Sequence, residues 1–198
     1  METHRGYDLG ALDLFNTLKP LADHSYFSET SRLLVELNRS LHHPKLFSEY
    51  SEKLSGEEKK EVLDTYYFPY RNSVENEIAA ALQEGEKVLH ISVHSFTPSL
   101  NGLERNADIG LLFDPARREE KNFCALLKKN LLVEDPELRV CFNYPYLGKA
   151  DGFPTYLRKV FKENYSGIEL EVNQKFSFHN QMEEGLKQTI FRGIKNSL

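Results

Sequence analysis

Four groups of residues in this sequence have the types and spacing to do chemistry. His94 stands within residues 89–98, LHISVHSFTP, where a short β-rich run meets turn residues. Alternation over residues 88–93 places Leu89, Ile91 and Val93 on one face and His90, Ser92 and His94 on the other. Pro98 cannot continue a central strand, so His94 falls at or just past a strand's carboxyl end, where open α/β sheets hold their ligands. Residues 167–173, GIELEVN, put Glu169 and Glu171 on one face, with Cα atoms roughly 6.6 Å apart. A carboxylate there can act as a general base toward a water; the same pattern also describes the solvated face of an edge strand. Asn38 followed by Arg39 can grip a carboxylate through bidentate guanidinium donors and a further amide, although an ordinary surface pair has the same sequence. Arg105 lies in a loop rich in Asn, Gly and charge, residues 99–106.

These side chains need elements to position them. Residues 10–22 carry Leu12, Phe15, Leu18 and Leu21 at helical spacing, with Pro20 closing or kinking the helix. Residues 32–38 read as a strand, with Leu33, Val35 and Leu37 on one face and Asn38 at its end. Residues 42–55 are polar, hold Pro44, and read as a surface excursion. Ser55 can cap a helical region running to Gly85, which Pro69 should divide in two. Residues 108–113, DIGLLF, form a second strand, and Asp114 before Pro115 marks a helix start. That helix runs to about Leu132, a third strand follows at residues 139–143, and another helix begins at Pro154. Met182, Leu186, Ile190 and Ile194, at steps of four, mark a closing helix.

Strands alternating with helices predict an α/β fold: a mixed, mostly parallel sheet with helices on both faces. On that topology Asn38, Arg39, His94, Arg105 and Glu171 gather along one edge of the sheet. The 198 residues suit a single domain. Hydrophobic residues make up 40% and charged residues 28%, and no apolar run approaches the roughly 18 residues of a membrane helix, so a membrane protein is not expected. The opening METHRGYDLG has no apolar signal core, which favours the cytoplasm. Net charge is -5 and the basic pairs are scattered, so no nucleic-acid footprint is visible. Cys124 and Cys141 have no metal-ligand spacing and read as two buried thiols.

The motifs together have a recognisable order. THRGYDLGAL at residues 3–12, SRLLVELNRS at 31–40, FPYRNSVE at 68–75, HSFTP at 94–98 followed by RNADIGLLFD, NYPYLGKADGFPTYLR at 143–158 and GIELEVNQK at 167–175 resemble the N-formylglutamate amidohydrolase family. Members of that family look like distant relatives of the zinc carboxypeptidases and aspartoacylases. The resemblance implies a zinc carboxypeptidase-like phosphorylase/hydrolase fold and metal-dependent hydrolysis of the amide of an N-formyl or other N-acyl amino acid, a small-molecule carboxylate. By the same resemblance His94 is a zinc ligand and Glu171 activates the attacking water. Asn38 and Arg39 hold the substrate carboxylate, and Arg105 is a second cationic contact.

Two departures from the family pattern stand out. Family members usually open with a strand and a His-bearing loop that supplies the first metal ligands, and this chain begins after that point, as an amidohydrolase-like domain over residues 1–198 that looks N-terminally truncated. Catalytic zinc normally takes three protein ligands, so His4, His24, His42, His43, His90 and Asp8 are the alternatives for the others. Strand edges exposed by that loss would invite a homo-oligomer. The second departure is Asn173, where many relatives carry an Arg. The alternative to hydrolysis is a member that binds a small carboxylate without turnover.

Overall fold

Ile168, Leu170 and Val172 alternate along the chain and are all fully buried, which fixes the inward face of the central strand. They belong to β6 (Tyr165–Asn173) of a computed structural model that describes residues 6–198. β6 lies between β1 (Val88–Phe96) and β4 (Ile109–Leu112), and β5 (Val140–Phe142) completes the sheet in the order β1-β6-β4-β5. The architecture is mixed α/β, with two short antiparallel ribbons besides the sheet, β2 (Ser99–Leu100) with β3 (Leu103–Glu104) and β7 (Ser177–Phe178) with β8 (Gln181–Met182). β4 runs parallel to β5 and antiparallel to β6, with Gly110 opposite both Cys141 and Glu171. β1 and β6 run the same way: Val88 N–H donates to Asn164 O at their start, and the Gln174 side-chain amide reaches Ser95 Oγ at their end.

The reversal between β4 and β6 changes how the site is assembled. The carboxyl ends of β1 and β6 share an end of the sheet with the amino end of β4, so Arg105 arrives before a strand rather than after one.

The chain divides into two compact units that interleave in sequence. One comprises Asp8–Asp23, Leu89–Ala150 and Ser166–Leu198. In it α1 (Ala11–Leu18), α4 (Arg118–Glu134) and α6 (Glu184–Lys195) cover the apolar face of β6. Leu14, Leu127, Leu131 and Ile190 from these helices are fully buried. At Gly193 an added Cβ would come within 2.8 Å of Leu131 Cδ2, so the bare backbone lets α6 pack closely on α4. Cys124 is buried in this core and Cys141 is partly exposed.

The other unit contains Gly6, Tyr7, His24–Val88 and Asp151–Tyr165. Its α2 (Gly56–Val62) opens on a capping box, with Glu58 N–H donating to Ser55 Oγ and Ser55 N–H donating to Glu58 Oε2. A π-helical turn at Leu63–Tyr67 carries the run into α3 (Phe68–Gln83). The second helix thus starts beside Pro69, whose missing N–H falls in the first turn, and the π-helical turn joins it to α2 without a break. The short α5 (Phe153–Val160) packs Phe153 and Leu157 against Val74 and Ile78 of α3.

Two sequence expectations are overturned. Residues 32–38 form turns, with Leu34 N–H donating to Ser31 O and Arg39 N–H to Glu36 O, because local side-chain and backbone bonds outcompete an alternating pattern that has no neighbouring strand. Val35 and Leu37 are nonetheless buried. Asp114 caps a turn instead of a helix, accepting Ala116 N–H at 3.0 Å, and α4 starts at Arg118 because Glu120 folds back to receive Asp114 N–H at 2.9 Å. Among the described residues no helix is long and apolar enough to cross a membrane.

Candidate active site

His94 lies near the end of β1, on the strand face opposite Ile91 and Val93, which pack against the core. Its Nδ1 is 2.8 Å from Asp8 Oδ2, and its Nε2 is 3.0 Å from Ser92 Oγ and 4.0 Å from Glu169 Oε1. Burial disfavours the charged ring, but the Asp8 bond and the charges of Asp8, Glu171 and Glu169 outweigh it and raise the pKa to about 9. A carboxylate can only accept, so Nδ1 donates to Asp8.

Asp8 is held in place through the next residue. Ser95 and Ser177 hydroxyls both donate to Leu9 O, at 2.8 and 3.3 Å, and Gln174 Nε2 donates to Ser95 Oγ at 3.1 Å. A buried polar network thus ties the start of α1 to the ends of β1 and β6.

Glu171 is buried, with a relative exposure of 6%, on the same face of β6 as Glu169. Gly110 of β4 makes room for it. A Cβ added at Gly110 would lie 3.3 Å from Glu171 Cβ and 2.0 Å from Tyr144 O, so the strand needs a residue without a side chain there. Arg105, just before β4, places Nη1 3.1 Å from Tyr146 Oη and 3.5 Å from Thr97 Oγ1.

Asn38 and Arg39 belong to the other unit, at a loop bound from several sides. Asn38 Oδ1 accepts Phe153 N–H at 2.6 Å, Arg39 Nη1 donates to Asp151 O at 2.5 Å, and Ser40 N–H donates to Asp151 Oδ2 at 3.1 Å. Tyr67 O–H donates to Arg39 O at 2.7 Å and Arg71 Nη1 to Leu37 O at 2.9 Å. The Arg71 guanidinium is buried over the rings of Phe153, Tyr67 and Tyr156. Burial lowers its pKa, against the opposing pull of Tyr67, Tyr156, Glu75 and Asp151.

The structure therefore brings His94, Glu169 and Glu171 together with Asp8, and sets Arg105 in the same unit. Of the alternative ligands, His24 pairs with Glu77, His42 with Ser40, and His43 accepts Lys45 N–H, while His4 is outside the described residues. Among the described residues no three His, Cys, Asp or Glu are placed to share a metal ion. The described donors fall short of the three protein ligands that catalytic zinc takes, and Asp8 is the hydrogen-bond partner of His94. The sequence marks Asp8 only as an alternative ligand and passes over Gly110, whose signal is a glycine inside an otherwise apolar strand.

The sequence profile of the N-formylglutamate amidohydrolase family matches residues 1–177. Among curated proteins none matches. Two solved structures share the fold. A gene product of Agrobacterium tumefaciens is 21% identical with a TM-score of 0.72, the match covering 100% of this chain and 77% of that one. The N-formylglutamate amidohydrolase of Ralstonia eutropha is 17% identical with a TM-score of 0.70, over 95% of this chain and 79% of that one.

Proposed function

The chain belongs to the N-formylglutamate amidohydrolase family, and we propose that it hydrolyses the amide bond of an N-formyl or other N-acyl amino acid to a carboxylic acid and a free amino acid. The observation that carries this reading is the buried Glu171 carboxylate, set over Gly110 on the face that also bears Glu169, which lies beside the His94 ring that Asp8 holds. Glu171 takes a proton from the attacking water as its oxygen bonds to the acyl carbon, then returns the proton to the amide nitrogen as the C–N bond breaks. Arg105 supplies a cationic contact, and the family resemblance assigns a carboxylate-holding role to Asn38 and Arg39.

A second reading, binding of a small carboxylate without turnover, is favoured by the shortage of metal donors among the described residues. Formate release from N-formylglutamate by the purified chain, with zinc supplied, separates the two. Hydrolysis predicts turnover, with Glu171→Gln lowering kcat roughly 10²- to 10⁴-fold at little change in KM. Binding of N-formylglutamate with no formate released selects the second reading. Zinc retained at near one ion per chain and lost in His94→Ala would assign a metal to the turnover.

A further inference from the structure

Residues 37–39 lie in turns and have no strand ladder, so each backbone group there needs a partner of its own. The N–H groups are met within the loop: Asn38 N–H donates to Glu36 Oε1 at 3.2 Å and Arg39 N–H to Glu36 O at 3.1 Å. The carbonyls are met from the π-helical turn and α3. Tyr67 O–H donates to Arg39 O at 2.7 Å, and Arg71 Nη1 donates to Leu37 O at 2.9 Å and to Arg39 O at 3.5 Å. One guanidinium nitrogen thus spans the two carbonyls that bracket Asn38.

Tyr67 closes the π-helical turn and Arg71 stands one helical turn later, so both project from one face. Tyr67 is 3% exposed and Arg71 5%. The guanidinium lies 4.0 Å from the Phe153 ring centroid, 4.8 Å from that of Tyr156 and 4.9 Å from that of Tyr67, so three rings fix its plane. Among the described residues its hydrogen bonds go to the Leu37 and Arg39 carbonyls alone. Burying a cation is costly, and an apolar side chain would fill the space between three rings at less expense. What the arginine adds is a donor aimed at the loop. Phe153 links the two sides, with its ring on Arg71 and its N–H on Asn38 Oδ1. All these residues belong to one compact unit.

We propose that Tyr67 and Arg71 are positioning residues for Arg39, holding the backbone of residues 37–39 in the conformation that sets the Arg39 guanidinium for a substrate. This rests on the hydrolase reading above and on the role that the resemblance gives Arg39, and it adds two residues that act through another. A loop held by both donors is already ordered, whereas a free one would have to be ordered by each substrate that binds.

The test measures kcat and KM for N-formylglutamate, with zinc supplied, in the full chain and in Tyr67→Phe, Arg71→Met, Arg39→Ala and the double variant Tyr67→Phe/Arg39→Ala. Tyr67→Phe removes one hydroxyl and keeps the ring, so KM should rise roughly 2- to 10-fold, the span of one hydrogen bond, with kcat kept. Arg71→Met keeps an unbranched stem among the rings and removes the donors. It should raise KM further, up to the 10- to 100-fold or so expected of Arg39→Ala itself. Added to Arg39→Ala, Tyr67→Phe should raise KM no more, because its effect passes through Arg39. A merely structural role would lower the folded fraction, and with it the apparent kcat, while leaving KM in place. If Arg71→Met does not fold, Tyr67→Phe and the double variant decide.

A wild-type KM in Tyr67→Phe, or a double variant in which the losses add, overturns the positioning role while formate is still released. An unchanged KM in Arg39→Ala overturns it as well, by removing the residue it acts through. A wild type that releases no formate defeats the hydrolase reading instead, and calorimetric affinities for N-formylglutamate then replace KM. Binding weakened by Tyr67→Phe, and not weakened further by it in Arg39→Ala, upholds the positioning role; equal affinities, or no binding, overturn it.

Discussion

Gly110→Ala puts the assembly of the site under a direct test. The glycine stands in β4 between Ile109 and Leu111, both fully buried, and faces Glu171 on one neighbouring strand and Cys141 on the other. A methyl group there would be 2.0 Å from Tyr144 O, 3.1 Å from Tyr144 C and 3.3 Å from Glu171 Cβ. Bringing the C···O separation to an ordinary 3.3 Å or so requires the Tyr144 carbonyl to move by about 1.3 Å. That carbonyl is backbone, so a rotamer change cannot relieve the clash. Overpacking of this kind costs about 1–3 kcal/mol, which for a chain of this size lowers Tm by roughly 3–10 °C. Crowding at Glu171 Cβ should also displace the carboxylate, and a misplacement near 1 Å can cost on the order of 10²-fold in rate. Thermal unfolding followed by circular dichroism and formate release from N-formylglutamate measure the two effects. Gly56→Ala is the control: nothing lies within 4 Å of its added Cβ, and it opens α2, so its Tm should stay at or slightly above the wild type. A Gly110→Ala protein with Tm within about 1 °C of the wild type and unchanged kcat would refute the close-approach reasoning.

Other outcomes follow from the buried polar groups. Glu120 is fully buried, accepts Asp114 N–H and Gly167 N–H, and lies 3.3 Å from Arg117 Nε. Glu120→Gln turns an N–H toward one of those donors and should cost about 2–4 kcal/mol in urea unfolding; a loss below about 0.5 kcal/mol would show that the two N–H groups find other acceptors. Burial acts to raise the Asp108 pKa, but the Lys175 bond, the Arg139 N–H and both positive charges hold it below its ordinary 3.8. The stabilisation is therefore complete above the ordinary value and is lost as pH falls through the lowered one. Asp108→Asn should be less stable at neutral pH and lose less Tm on acidification, and parallel Tm–pH curves would contradict this. Arg39→Ala should raise KM about 10- to 100-fold with kcat kept, if the residue binds ground state and transition state alike. An unchanged KM would remove Arg39 from substrate binding.

Several features were legible in the sequence because they depend on short-range geometry. Alternation alone put Ile168, Leu170 and Val172 inward and Glu169 and Glu171 on the other face, and β6 has that arrangement. Ser55 marked the start of α2 as its cap, and the structure adds the reciprocal bond from Glu58. The same kind of pattern failed at residues 32–38, where alternation with no partner strand collapsed into turns although Val35 and Leu37 still found a core. Pro69 did mark the start of the second helix, but the π-helical turn that joins it to α2 follows from no local rule.

What the sequence determined by itself was the family, the mixed α/β class and the strand faces that bear His94, Glu169 and Glu171, all of which are written in motif order and in a two-residue period. Tertiary structure alone decided that β6 runs against β4, that Asp8 reaches His94 across 86 positions, and that Arg71 reaches Leu37 across 34. The physical reason is that a hydrogen-bond partner so far along the chain leaves no periodic trace: the two ends meet only after the core has set the direction and register of the strands between them.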